Sequence, residues 1–326
     1  MIAVATWPFA HVCTAHAPLA EITDDLVSHY LEAARAPNTN RAYEWDLRDF
    51  EAWGGHIPST SDEIVQYLAD RAGTLRPSTL RRRLAALANA HRDHGWADPT
   101  KAPLVRRVLQ GIERKHGRAV TQVAPLLIDD LARIVATMGN GARDLRDKAI
   151  LLVGFFGALR RSEIVALKMS SLARTPDGLA LRIERSKTDQ TGRGRTVPLH
   201  KRNDQLCPVS SLTAWLSVSS ICEGPIFRQV IERMAACSGR LDGRTVAVII
   251  KKRAATAGLP AERYSGHSLR AGFATSAALA GIDAVLIARQ TGHRTSKSLA
   301  AYIRPEGSAT VFVGSLALGK RPRELA

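Results

Sequence analysis

The chain has 326 residues, of which 45% are apolar and 23% charged. That is the balance of an ordinary globular protein and enough chain for about two domains at roughly 150 residues each; it excludes a disordered or fibrous chain. No run approaches the roughly 18–20 consecutive apolar residues that a bilayer crossing requires, and 46 basic against 30 acidic residues leave a net charge of +16 and a pI near 10.4, which points to a polyanionic partner, nucleic acid first.

Residues 1–19 form an N-terminal extension. The first 34 residues contain no Lys or Arg, so the apolar opening lacks the positive n-region of a secretory signal. Residues 20–117 read as short amphipathic helices separated by turn chemistry. Tyr43, Leu47, Phe50 and Trp53 recur at spacings of four, three and three, on one helical face. Thr60 and Glu63 make a capping-box pair ahead of Ile64, Leu68 and Ala72. After Pro77, Leu80, Leu84, Leu87 and His91 make a buried stripe, with Arg81, Arg82 and Arg83 expected outside it. A helix after Pro103 is expected to bury Leu104, Val108 and Ile112 and to expose Arg106, Arg107, Arg114 and Lys115. Charge follows this division, since residues 1–70 hold 3 basic and 11 acidic groups whereas residues 71–118 hold 12 and 3. The outcome is an all-α bundle with a basic face, in which Arg81, Arg82, Arg83, Arg106 and Arg107 are the candidate DNA contacts. Aromatics amount to only 5%, which suits gripping duplex phosphates better than stacking unpaired bases.

Residues 118–125 break the periodicity and end in proline, as a linker does. A second domain, residues 126–309, opens with helices over 128–138 and 144–157. At Leu179, Leu181 and Ile183 the period changes to two; the polar run TDQTGRG then leads into RTVPL, so a β-hairpin with a cationic tip is expected. Helices near 243–257, 267–280 and 283–291 are expected to stop at Gly258, Gly281 and Gly292. The fold class is therefore mainly α with a small sheet or hairpin in the second domain. Residues 310–326 form a C-terminal tail whose apolar stretch TVFVGSLAL is hard to bury alone. The nearby GSLALGKR is no phosphate-binding loop, because Arg321 takes the Ser/Thr position and only five residues follow.

Cys13, Cys207, Cys222 and Cys237 include no C-x-x-C pair and read as reduced thiols, so a cytoplasmic, DNA-associated location is expected. The ten histidines form no ligand signature, and neither a metal nor another cofactor is expected.

Six residues carry candidate chemistry. Arg160 precedes a helix start at Ser162 with Glu163 in the first turn; Lys187 lies in the hairpin; His267 and Arg270 stand at i and i+3. His293 follows Gly292, and Tyr302 lies nine residues on. Singly each is ordinary: a surface arginine, a turn lysine, a helix pair, a packed tyrosine.

In order, however, Arg160, Lys187, His267, Arg270, His293 and Tyr302 resemble the catalytic signature of the tyrosine recombinases, the phage integrase family, in its compact two-domain form. The resemblance spans roughly residues 20–306. It implies a helical core-binding domain and a mixed α+β catalytic domain that together clamp duplex DNA. It further implies cutting and rejoining through a 3′-phosphotyrosyl link without metal or ATP, with Tyr302 as nucleophile. Arg160, Arg270 and His293 would hold the phosphate, Lys187 would protonate the departing 5′-hydroxyl, and His267 would help manage the tyrosine proton. A homo-oligomer on DNA, a tetramer, is implied, with the tail docking on a neighbouring subunit. Two departures stand out: Ala158 where glycine is commoner, and Ala271-Gly272 in place of a polar pair. Two other readings share these motifs, a catalytically silent DNA-binding protein of the same fold and a type IB topoisomerase.

Overall fold

The computed structural model describes residues 29–30, 34–118, 123–184, 194–231, 239–293 and 299. Lys187, Tyr302, the N-terminal extension and the 310–326 tail lie outside them. The chain divides into two units, Met1–Val120 and Thr121–Ala326.

In the first unit α1 (Pro37–Ala52), α2 (Ser61–Arg71), α3 (Pro77–Asp93) and α4 (Pro103–His116) pack around one core. Proline opens α1, α3 and α4, where the missing N–H would have had no helical partner. At the start of α2 the Thr60 hydroxyl accepts the Glu63 N–H at 3.2 Å and the Glu63 carboxylate accepts the Thr60 N–H at 2.8 Å. Phe50, Ile64, Tyr67, Leu68, Leu80, Leu87 and Val105 are almost fully buried, with the Phe50 and Tyr67 rings edge-to-face at 5.0 Å.

Two expectations fail here, both by helical register. Leu104 is exposed and Val105 is buried, because the inward stripe of α4 runs through Val105, Val108, Leu109 and Ile112. Arg83 is buried rather than presented on a basic face. It lies three residues after Leu80 and four before Leu87, within the inward stripe. Its guanidinium donates to Asp49 and to the Tyr67 hydroxyl and lies 3.6 Å from Asp46, while the Tyr67 hydroxyl donates to Asp49 at 2.8 Å. Arg82 grips Asp46 with two hydrogen bonds of 2.7 and 2.8 Å, and Arg81 pairs with Glu113. Arg106 and Arg107 are exposed.

A buried charge network fails when one member is removed, because the remaining charges stay desolvated. Arg83→Ala is therefore expected to destabilise the first unit by about 3 kcal/mol, and Arg106→Ala by less than about 0.5 kcal/mol. Urea unfolding of the two variants checks the contrast.

The second unit contains α5 (Ile128–Ala136), α6 (Ala142–Phe156) and α7 (Arg161–Ala166), then β1 (Leu172–Thr175), β2 (Gly178–Ile183) and β3 (Arg195–His200). It continues with α8 (Pro208–Ser219), α9 (Gly243–Thr256), α10 (Ser268–Leu279) and α11 (Ala284–Thr291). Helix α6 runs through the core, with Ala149 to Val153 and Phe155 buried. The strands form an antiparallel sheet in the order β1-β2-β3, and Ile183 pairs with Arg195 at the base of the hairpin. Leu181, Ile183, Val197 and Leu199 face the core. Strand β1 and helix α8 were not anticipated. The turn Pro176-Asp177 joins β1 to β2, and α8 is anchored by buried Trp215, whose ring N–H donates to the Ile226 carbonyl at 2.9 Å. The expected glycine stops hold: Gly258, Gly281 and Gly292 take φ of 72°, 77° and 67°. No helix among the described residues is long and apolar enough to cross a membrane.

Candidate active site

Four segments meet at one place in the second unit: the junction of α6 and α7, the start of β3, the first turns of α10, and the end of α11. After α6 the chain reverses through Ala158, whose φ of 48° is left-handed, and Arg160 then caps α7. The Arg160 guanidinium donates to Glu163 at 2.8 Å, and its backbone N–H donates to the same carboxylate at 2.9 Å. Both residues are buried. Sequence spacing suggested only that Glu163 suits the helix dipole; the structure shows it aiming the arginine.

Arg270 lies on α10 and is fully buried. It donates to the Ala158 carbonyl at 2.8 Å and faces His293 Nε2 at 3.1 Å. The strained turn at Ala158 thus presents its carbonyl to Arg270 and directs the chain to Arg160 two residues later. His267 is the N-cap residue of α10, one turn before Arg270, and is exposed.

Two described partners of His293, Arg270 and Thr291, define its proton. A guanidinium can only donate, so Nε2 accepts from Arg270. The Thr291 hydroxyl lies 2.7 Å from the Ile287 carbonyl, to which it must donate, so at 2.8 Å from Nδ1 it accepts the imidazole N–H. The ring is neutral with its proton on Nδ1. Burial, then the charges of Arg270, Arg160 and Arg195, push its pKa down to about 4. The folded state thus refuses a proton that the unfolded chain binds from about pH 6.5 downward. Stability from this residue is complete above that pH and is lost as pH falls toward about 4. Between pH 7 and 4.5, His293→Gln should lose less thermal stability than the parent protein; equal losses would show that the imidazole is not held neutral.

Arg195, absent from the sequence-based set, completes the cluster. It donates to Glu163 at 3.0 Å and to the Gln290 carbonyl at 2.6 Å, and burial pushes its pKa down. The Gln290 side chain donates to the Phe156 carbonyl at 2.8 Å. A basic residue at the foot of the hairpin stem was the available signal. Among the described residues, the guanidiniums of Arg160, Arg195 and Arg270 are thus brought together with Glu163 and His293 at a largely buried place. Such an arrangement suits an anionic oxygen-rich group. Leu299, buried against Ala274 of α10 and Ile287 of α11, brings the chain to within three residues of Tyr302.

The family model described as the phage integrase family matches residues 126–308. The integrase/recombinase xerD homolog of Selenomonas ruminantium is 35% identical over 283 residues, covering 84% of this chain and 83% of that protein. Among solved structures, a lambda integrase dimer bound to a COC′ core site superimposes with a TM-score of 0.61 at 17% identity, covering 87% of this chain and 95% of that one. A lambda integrase tetramer bound to a Holliday junction gives 0.59 at 15% identity, covering 86% and 77%.

Proposed function

The chain belongs to the phage integrase family, the tyrosine recombinases, and is a site-specific DNA recombinase; from that premise we propose that Arg160, Arg270 and His293 hold the scissile phosphate of duplex DNA while Tyr302 attacks it. The observation that carries this reading is that Arg160, Arg270 and His293, far apart in the sequence, are brought together around the Ala158 carbonyl and Glu163, with Arg195 beside them.

Transfer at a phosphodiester concentrates negative charge on the non-bridging oxygens, so positioning and electrostatic stabilisation supply most of the catalysis. The Tyr302 oxygen bonds to phosphorus as the bond to the 5′-oxygen breaks. Lys187 gives that oxygen its proton, and His267 takes part in removing the phenol proton. The 3′-phosphotyrosyl link keeps the energy of the broken bond, so a 5′-hydroxyl from a second duplex can reverse the step without ATP. Exchange of two duplexes needs four cleavages, which favours four copies of the chain on DNA. The exposed Leu279, Ile282, Val285 and Leu286 around the α10–α11 turn offer an apolar surface for the 310–318 segment of a neighbouring copy.

A plasmid carrying two copies of the recognised site tests the reading. A recombinase yields exchanged products, a type IB topoisomerase yields relaxed topoisomers alone, and a silent binder yields neither. Binding itself is expected to be strongly salt-dependent: with about ten phosphate contacts, affinity should fall by roughly five orders of magnitude between about 50 and 200 mM salt. A loss of only about tenfold in titrations over this range would argue against a phosphate-gripping surface.

A further inference from the structure

Arg195 joins three elements that the reaction must keep in register. Its guanidinium reaches Glu163, whose carboxylate also holds Arg160. The same side chain reaches the Gln290 carbonyl, three residues before His293. It also packs against Gly292, where an added Cβ would lie 3.0 Å from Arg195 Nε. Gly292 therefore serves two ends, a left-handed stop for α11 and room for this side chain. On the strand side Arg195 pairs with Ile183, the last register pair before the hairpin segment that carries Lys187.

We propose that Arg195 is a positioning residue for strand cleavage: by bonding Glu163 and the Gln290 carbonyl at once, it fixes Arg160 and His293 relative to each other. The role rests on the recombinase reading above. The two acceptors on separate elements are reached by two different terminal nitrogens of the guanidinium, a fork that lysine, with its donors on one nitrogen, lacks. The bonds cross 32 and 95 residues of chain, so this contact substitutes for any local connection between the two catalytic positions.

The test uses full-length protein and the cleavage site recovered by sequencing DNA trapped on the parent enzyme, in a duplex nicked beside the scissile phosphate so that cleavage is irreversible. Arg195→Met should form the covalent adduct at least about 30-fold more slowly while binding that DNA within about threefold of the parent, and Arg195→Lys should recover part of the rate. Combining Arg195→Met with Glu163→Gln should be clearly less than additive. A substrate with sulfur in place of the bridging 5′-oxygen should relieve Lys187→Ala but not Arg195→Met, because the latter acts on the phosphate clamp and not on the leaving group. The proposal is overturned by an Arg195→Met rate within threefold of the parent, by additive losses, or by rescue with the sulfur substrate. Should Arg195→Met fail to fold, Arg195→Lys decides: parental rates would mean that charge alone suffices and the fork is dispensable. If the parent protein itself forms no adduct, the recombinase reading fails instead, independently of Arg195.

Discussion

Replacing Tyr302 by phenylalanine is expected to eliminate the covalent protein–DNA adduct while leaving DNA affinity within about threefold of the parent. The substitution deletes one oxygen. Removing the nucleophile of a covalent mechanism costs on the order of 10^5–10^6 in rate, because the remaining cluster can still polarise the phosphate but has nothing with which to open it. Arg160, Arg270 and His293 are untouched by the change, so the proposed grip on the phosphate is expected to remain. Leu299 is packed on α10 and α11, the helices that carry Arg270 and lead into His293. Denaturing electrophoresis of protein mixed with labelled DNA reads the result directly. An undiminished adduct in the Phe variant would assign the nucleophile to another side chain.

Gly272→Ala should destabilise the second unit by about 3 kcal/mol, although intrinsic helix propensity alone favours alanine by roughly 1 kcal/mol. Gly272 lies within α10, and a Cβ there would stand 1.8 Å from the Leu126 carbonyl oxygen and 2.6 Å from its carbon. These are backbone atoms and cannot rotate away. The Leu126 segment is itself tied to α10, since Leu126 N–H donates to the Ser268 carbonyl at 3.0 Å and Ile128 N–H to the Ser276 hydroxyl at 3.2 Å. Relief requires α10 to move, and Arg270 moves with it, away from Ala158 and His293. The loss corresponds to a fall in thermal midpoint of about 6–12 °C for a unit of this size, accompanied by slower cleavage. Gly111→Ala provides the opposite sign. A Cβ at Gly111, in α4, meets nothing within 4 Å, so propensity should prevail there and stabilise by up to about 1 kcal/mol. Calorimetry on both variants separates the effects; a neutral or stabilising Gly272→Ala would show that the close approach is not needed. The departure from the usual polar pair at Ala271-Gly272 thereby acquires a physical reason.

Legibility in the sequence tracked the range of the interactions. The capping box at Thr60 and Glu63, the prolines that open helices and the glycines that stop them act over three or four residues and could be read directly. Helix α8 was harder, since Leu212, Trp215 and Leu216 are spread among serines that weaken the apolar pattern. Arg83 was misplaced because arginine reads as a surface residue unless its partners are known, and Asp46 and Asp49 lie 37 and 34 residues away in the chain. Arg160, Arg270 and His293 stood out by motif, yet nothing in that motif indicated Arg195, the tautomer imposed by Thr291, or the acceptor carbonyl at Ala158.

The amino-acid order by itself determined most of the helices, the hairpin, the cationic surplus and the family pattern, because propensity, capping and motif spacing are properties of neighbouring residues. Tertiary structure alone decided which arginines gather at the candidate site and which are spent internally, and which nitrogen of His293 carries the proton. A guanidinium or an imidazole takes its role from the donors and acceptors within about 3 Å, and here those arrive from segments tens to more than a hundred residues apart.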